Sequence, residues 1–188
     1  LQKVCECLLR RGVLNLAQII RSTELNRQSV VNCLRVLIHQ NCVQAFAIQE
    51  EGQPRVVTQY LALFENILHK LRASKFLQIV SDELDQNCLG IFHGMLQHGR
   101  LSINQTIDRS GQMEGSSDVV IIRESFNKLV NARFIERCPA PEPFLSQPFE
   151  EEPTQRKRGA KGAKTAPRKL TLEQRALAAA GPPESLRF

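Results

Sequence analysis

RQSVVNCLRVLIHQNCVQAFAIQ, residues 27–49, changes period halfway along. As far as His39 its apolar residues Val30, Leu34, Leu37 and Ile38 recur at helical spacing, and Gln28, Asn32, Arg35 and His39 form a polar stripe. From Cys42 onward apolar and polar residues alternate, the period of a half-buried strand. EEGQP (50–54) supplies a turn and RVVTQYLA (55–62) a second strand-like run. Upstream, QKVCECLLRRG reads as a helix stopped by Gly12, and Asn15 is placed to cap a short helix, LAQIIRS. Asn26 caps the helix that opens this stretch. Three helices followed by a hairpin is the order of a winged helix, whose third helix is the usual reader of the DNA major groove. Residues 1–62 are assigned to one such unit.

The chain then repeats itself. MLQHGRLSINQTI (95–107) answers LLRRGVLNLAQII (8–20), with Gly99 on Gly12, Gln105 on Gln18 and Ile107 on Ile20. LVNARFIE (129–136) answers LIHQNCVQ (37–44) at a slightly larger offset, which the longer turn GQMEGSS explains. A second winged helix is expected over 81–138, joined by connecting helices over 63–80. Ser81 is placed to cap its first helix, with Asp82, Glu83 and Asp85 in the first turn. Its third helix, DVVIIRESFNKLVNA, is expected to turn Val119, Ile122, Phe126, Leu129 and Val130 inward and Arg123, Asn127 and Lys128 outward. Cys138-Pro139 and the prolines behind it leave room for one strand of a second wing, because proline donates nothing to a ladder. Residues 139–188 are expected to be a Pro-rich and then basic disordered tail, with LTLEQRALAAAG a marginal helix lacking a place to dock. The predicted fold class is therefore mainly α with small β wings: tandem winged-helix domains plus that tail.

Composition narrows the function. The net charge is +6 over 188 residues, yet residues 1–150 carry only +1 and the last 38 carry +5. The folded part is nearly neutral, which argues against a free-standing, strongly electrostatic DNA binder. Six scattered cysteines without a Cys-x-x-Cys pair predict reduced core thiols of a cytosolic or nuclear protein and no metal site. The four histidines have no nucleophile or carboxylate at a catalytic spacing, and no phosphate-cradling glycine loop is present; no catalytic residue, cofactor or small-molecule substrate is expected. No run approaches the roughly 18 apolar residues of a membrane span. The chain begins at Leu1 without Met, so a fragment or trimmed chain is expected.

The candidate DNA contacts are Arg27, Gln28, Asn32, Arg35 and His39, with Arg55 beyond the wing turn. Arg, Asn and Gln offer bidentate partners to base edges, and Arg also holds phosphate. The same stripe reads as the solvated or protein-facing side of a surface helix, and its low charge favours that second reading. Arg123, Asn127 and Lys128 form the corresponding face of the second unit. Arg156, Lys157, Arg158, Lys161, Lys164, Arg168 and Lys169 read as a nuclear localisation signal, a loose nucleic-acid contact or a solvated linker.

LLRRGVLNLAQIIRSTELNRQSVVNCLRVLIHQNCV, the wing ending near VVTQYLA and, most specifically, FNKLVNARFIERCP resemble the amino-terminal part of a winged-helix subunit family of eukaryotic RNA polymerase III. That subunit belongs to the enzyme's ternary subcomplex and is related to the large subunit of general transcription factor E; the match spans about residues 1–140. The resemblance implies a non-catalytic nuclear subunit that docks on the polymerase clamp beside the two other subunits of the subcomplex. It would help recruit the enzyme to promoters, contact DNA and assist opening. The family's further winged helices and carboxy-terminal coiled coil have no counterpart here, so a partial form is expected. Two other readings stay open: a stand-alone regulator reading DNA with Asn26–Asn41 and dimerising through its second unit, and a scaffold that meets only proteins.

Overall fold

The computed structural model describes residues 1–49, 55–110, 116–145 and 170–188. The first unit follows from its caps. α1 (Gln2–Arg11) buries Val4 and Leu8 and ends at Gly12, whose φ of 76° few side-chain-bearing residues would adopt. α2 (Leu16–Thr23) starts in a reciprocal box: the Gln18 N–H donates to Asn15 Oδ1 at 2.9 Å, and the Asn15 N–H to Gln18 Oε1 at 2.8 Å. At the start of α3 (Arg27–His39) Asn26 Oδ1 accepts the Ser29 N–H at 2.7 Å. β1 (Leu14–Asn15), β2 (Val43–Gln49) and β3 (Val56–Ala62) form an antiparallel sheet in which Val43 faces Ala62 and Gln49 faces Val56. Val4, Leu8, Ile19, Val30, Leu34, Leu37, Cys42 and Val43 close one core between the helices and the sheet.

α4 (Phe64–Leu71) leads to a second body built from α5 (Ala73–Glu83), α6 (Gln86–His98), α7 (Ile103–Ser110) and α8 (Ser116–Asn131). Its core is Val80, Cys88, Ile91, Phe92, Ile122 and Leu129. The duplication holds at the level of single hydrogen bonds. Gly99 repeats Gly12 with a φ of 80°. Ser102 and Gln105 repeat the reciprocal box, with the Ser102 N–H on Gln105 Oε1 at 2.9 Å and the Gln105 N–H on Ser102 Oγ at 3.2 Å. Both third helices end in the same way: Asn41 and Arg133 take left-handed φ of 54° and 61°, and the N–H groups of Cys42 and Phe134 return to the carbonyls of Leu37 and Leu129.

Two helix assignments move. Ser81 lies inside α5, which runs on to Glu83 because Phe76, Leu77, Val80 and Leu84 pack on the second core. The cap of α6 is Asp85, whose Oδ1 accepts the Cys88 N–H at 2.8 Å. Val119 faces outward rather than inward, and Ser125 takes a buried place on α8 beside Ile122 and Leu129. Asp85 also meets Lys128 Nζ at 2.6 Å, and this bond, ahead of the Cys88 N–H, holds its carboxyl down at about 2. A depressed carboxylate pKa stabilises the fold above the unfolded value and ceases to do so as pH falls through the folded one. Between pH 4 and pH 2, Asp85→Asn should therefore flatten the acid loss of stability relative to the wild type. At pH 7 the same change should cost less than about 1 kcal/mol, since the pair is solvent-exposed and asparagine still caps. Urea midpoints across pH check this.

The largest departure concerns residues 139–188. Their middle, 146–169, lies outside the described residues, but both flanks are built into the first unit. β4 (Phe144–Leu145) adds to the sheet parallel to β2, giving the order β1-β3-β2-β4. The one strand expected for a second wing, at residues 134–137, does not form; the chain beyond it adds β4 to the first wing instead. Proline suits that edge: the Pro143 carbonyl accepts the Ala47 N–H at 2.9 Å, a place that needs no donor. Buried Gln44 pins the incoming chain, its Nε2 donating to the Ala140 carbonyl at 2.8 Å. α9 (Leu172–Ala180) does find a dock, on the outer face of the same sheet. Fully buried Ala176 lets it lie close over Phe46, Leu61 and Leu145, and one turn on the carbonyl of buried Ala180 accepts the Ala140 N–H at 2.8 Å. The chain beyond α9 returns to the second body, where the Arg137 N–H donates to the Arg187 carbonyl at 3.0 Å and Arg187 Nε meets Glu136 at 2.5 Å.

Candidate nucleic-acid interface

The exposed face of α3 is the side chains that its core pattern leaves over. With Val30, Leu34 and Leu37 turned in, helical geometry puts Gln28, Asn32 and Arg35 on the outer side and Arg27 beside them in the first turn; all four are exposed. Gln28 Nε2 donates to Asn32 Oδ1 at 3.1 Å, so the two carboxamides stand as one ordered pair. Neither Arg27 nor Arg35 has an ion-pair partner among the described residues. Half-exposed Val36 lies one turn on from Asn32, making the surface mixed rather than strongly cationic. Arg55 is exposed at the start of β3, beside the wing turn, which lies outside the described residues.

His39, exposed one turn beyond Arg35, stands where that stripe reaches a second place. Its carbonyl accepts the Arg100 N–H at 3.0 Å, and its imidazole Cδ2 lies 3.2 Å from where a Cβ on Gly99 would stand. This end of α3 is the joint between the two bodies. Lys70 Nζ bridges Gln40 Oε1 at 2.6 Å and the Leu96 carbonyl at 2.9 Å; Gln40 Nε2 reaches the Gln97 carbonyl at 3.0 Å. Arg100 reaches Asn41 Oδ1 at 2.9 Å and the Pro139 carbonyl at 3.4 Å. Burial of this ammonium lowers the Lys70 pKa. The joint fixes how the face of α3 stands relative to the second unit, and sequence reasoning missed it. Arg100 was its one visible trace, an arginine where the first copy has Val13.

On α8, Arg123 and Asn127 are exposed, whereas Lys128 is committed to Asp85. The seven basic residues from Arg156 to Lys169 lie outside the described residues. Cys42 and Cys88 are buried, and burial pushes both thiols up. Among the described residues no three His, Cys, Asp or Glu side chains stand together as metal ligands, and no helix is long and apolar enough to cross a membrane.

Residues 1–47, from α1 into β2, match the family described as the RNA polymerase III subunit RPC82 helix-turn-helix domain. The chain is 28% identical over 168 residues to DNA-directed RNA polymerase III subunit rpc3 of Dictyostelium discoideum, an alignment covering 77% of this chain and 25% of that protein. It is 30% identical over 139 residues to DNA-directed RNA polymerase III subunit RPC3 of Danio rerio, covering 70% of this chain and 25% of that one. It therefore spans about a quarter of the length of these curated relatives. In fold, in the family match of its first unit and in alignments covering at least 70% of its length, the chain resembles the winged-helix part of RNA polymerase III subunit RPC3.

Proposed function

We propose that this chain is the paired winged-helix portion of a non-catalytic RNA polymerase III subunit, acting in the nucleus. It docks on the polymerase clamp with the other members of a ternary subcomplex and helps recruit the enzyme to promoters and open DNA. One observation carries most of this reading: the unit that matches the polymerase III family presents an α3 face with two arginines, neither paired among the described residues. Such a helix gains little free energy from counterion release, so protein contacts must bring it to DNA. Once there, Arg27 and Arg35 hold phosphate, and the Gln28–Asn32 pair meets base or sugar edges.

The test has two levels. Affinity purification of the longer protein that carries this segment should recover other RNA polymerase III subunits, and recovery without them refutes the assignment. With the seven Lys and Arg of 156–169 replaced by Gln, the isolated chain should bind duplex DNA no more tightly than about 10⁻⁵ M at physiological salt. Its log–log salt slope should be about −2, one unit for each α3 arginine. Arg27→Ala with Arg35→Ala should abolish that slope and reduce cross-linking of the assembled enzyme to promoter DNA. Sequence-specific binding at micromolar affinity or tighter by the isolated chain would favour the stand-alone regulator instead.

A further inference from the structure

The two bodies are duplicates in backbone but not in what their third helices show to solvent. Buried Val30 and Leu37 correspond to buried Ile122 and Leu129, and the left-handed Asn41 corresponds to Arg133. In that register Arg27, Gln28 and Ser29 of α3 become Val119, Val120 and Ile121 of α8. These three apolar side chains are 36%, 58% and 42% exposed. Asn32 becomes Glu124, an acid where a phosphate contact would need a donor or cation. The first turns of a recognition helix are where base edges are read. On α8 those turns suit an apolar partner.

Beside them runs an open groove of about 520 Å³ between α6, α7 and α8, with Ile121 and Ile122 on one wall. Along its α6 side lie Gly90 and Gly94, one turn apart. Neither has a positive φ, and a Cβ on either would meet no atom within 4 Å. Nothing among the described residues requires them, although a glycine within a helix destabilises it relative to alanine. The first unit carries Lys3 and Cys7 at the matching places of α1. Bare backbone on an exposed helix face gives room for another backbone to approach closely. The groove carries one cation as well. Among the described residues its lining holds Arg109, His93 and His98 and no acid, and Arg109 has no ion-pair partner there.

We propose that this groove seats an amphipathic helix of another protein, inserting an apolar stripe between α6 and the start of α8 and presenting carboxylates to Arg109 and the two histidines. The α6 wall, Gln86–His98, is about 20 Å long, matching three to four turns of such a helix. The inference stands on the duplication and on the groove's own lining, and holds or falls apart from the polymerase reading.

A displayed library of 16-residue peptides tests it, with Leu fixed at positions 2, 5, 9 and 12 and all other positions randomised, selected on the 188-residue chain. Glu- and Asp-rich helices should be enriched. As synthetic peptides they should lose at least about tenfold in affinity on Gly90→Leu or Gly94→Leu, which fill the cleft, and about threefold on Arg109→Gln. Gly90→Ala should leave the Tm equal or higher, showing that this face is not needed for folding. The proposal is overturned if no peptide is enriched, if the selected peptides are basic, or if the glycine variants bind them unchanged. It is equally overturned if the chain dimerises and Val120→Glu makes it monomeric, which would assign the groove to a second copy.

Discussion

Gly99→Ala should lower the Tm by about 10 °C, whereas Gly12→Ala, the same change at the matching place in the first copy, should lower it by about half as much. Both glycines hold left-handed backbone, with ψ near −140°, and a side chain there costs about 1–3 kcal/mol in strain. At Gly12 that is nearly the whole effect, since an added Cβ meets only Glu173 Oε1 at 3.6 Å. At Gly99 the Cβ would stand 2.4 Å from the His39 carbonyl oxygen, and backbone must move to admit it. That movement breaks the Arg100–His39 hydrogen bond and disturbs those from Gln40 and Lys70, each worth about 1 kcal/mol. Thermal melts of the two variants, with amide exchange at Arg100, provide the check. Equal losses would mean that the joint contributes nothing to stability.

Phe46→Ala is the second large effect, expected to cost about 3–5 kcal/mol. The ring is fully buried between the sheet and α9, and its loss removes the surface on which Ala176 rests. Amide protection should therefore fall in α9, more than 120 residues away, as well as in β2. Ala176→Glu separates the two consequences. A carboxylate cannot be buried against Phe46 without a partner, so α9 should leave the sheet while α1–α3 and their core stay intact. If α9 retains its protection in Ala176→Glu, the helix is not held by that face.

The local parts of the fold were legible in the sequence because their causes are local. Asn15, Asn26, Gly12 and the switch of period after His39 each act within a few residues, and the three helices and hairpin of the first unit lie where those signals put them. What escaped depends on residues far apart. Ser81 followed by acids looks like a helix start, but packing of Val80 and Leu84 carries α5 past it. The dock for α9 depends on β4 and on Phe46, distant in sequence. One signal for it was present: Val43, Gln44, Ala45 and Phe46 are all buried, and a strand covered on both faces reads as a nearly continuous apolar run rather than a clean alternation. CVQAFAI was such a run. The polar stripe of α3 was legible as a face, while the joint that its His39 end meets was not.

The contacts around Gly99 and Arg100 bear on more than stability. A flexible linker between two modules lets each meet its target independently, with only an effective concentration to connect the events. Here Lys70, Gln40 and Arg100 join the end of α3 directly to the second body, and residues 170–188 span both. The molecule is then a ruler. Whatever holds one unit decides where the other points; under the function proposed above, a partner seated on the second body would set the place along a duplex that α3 meets.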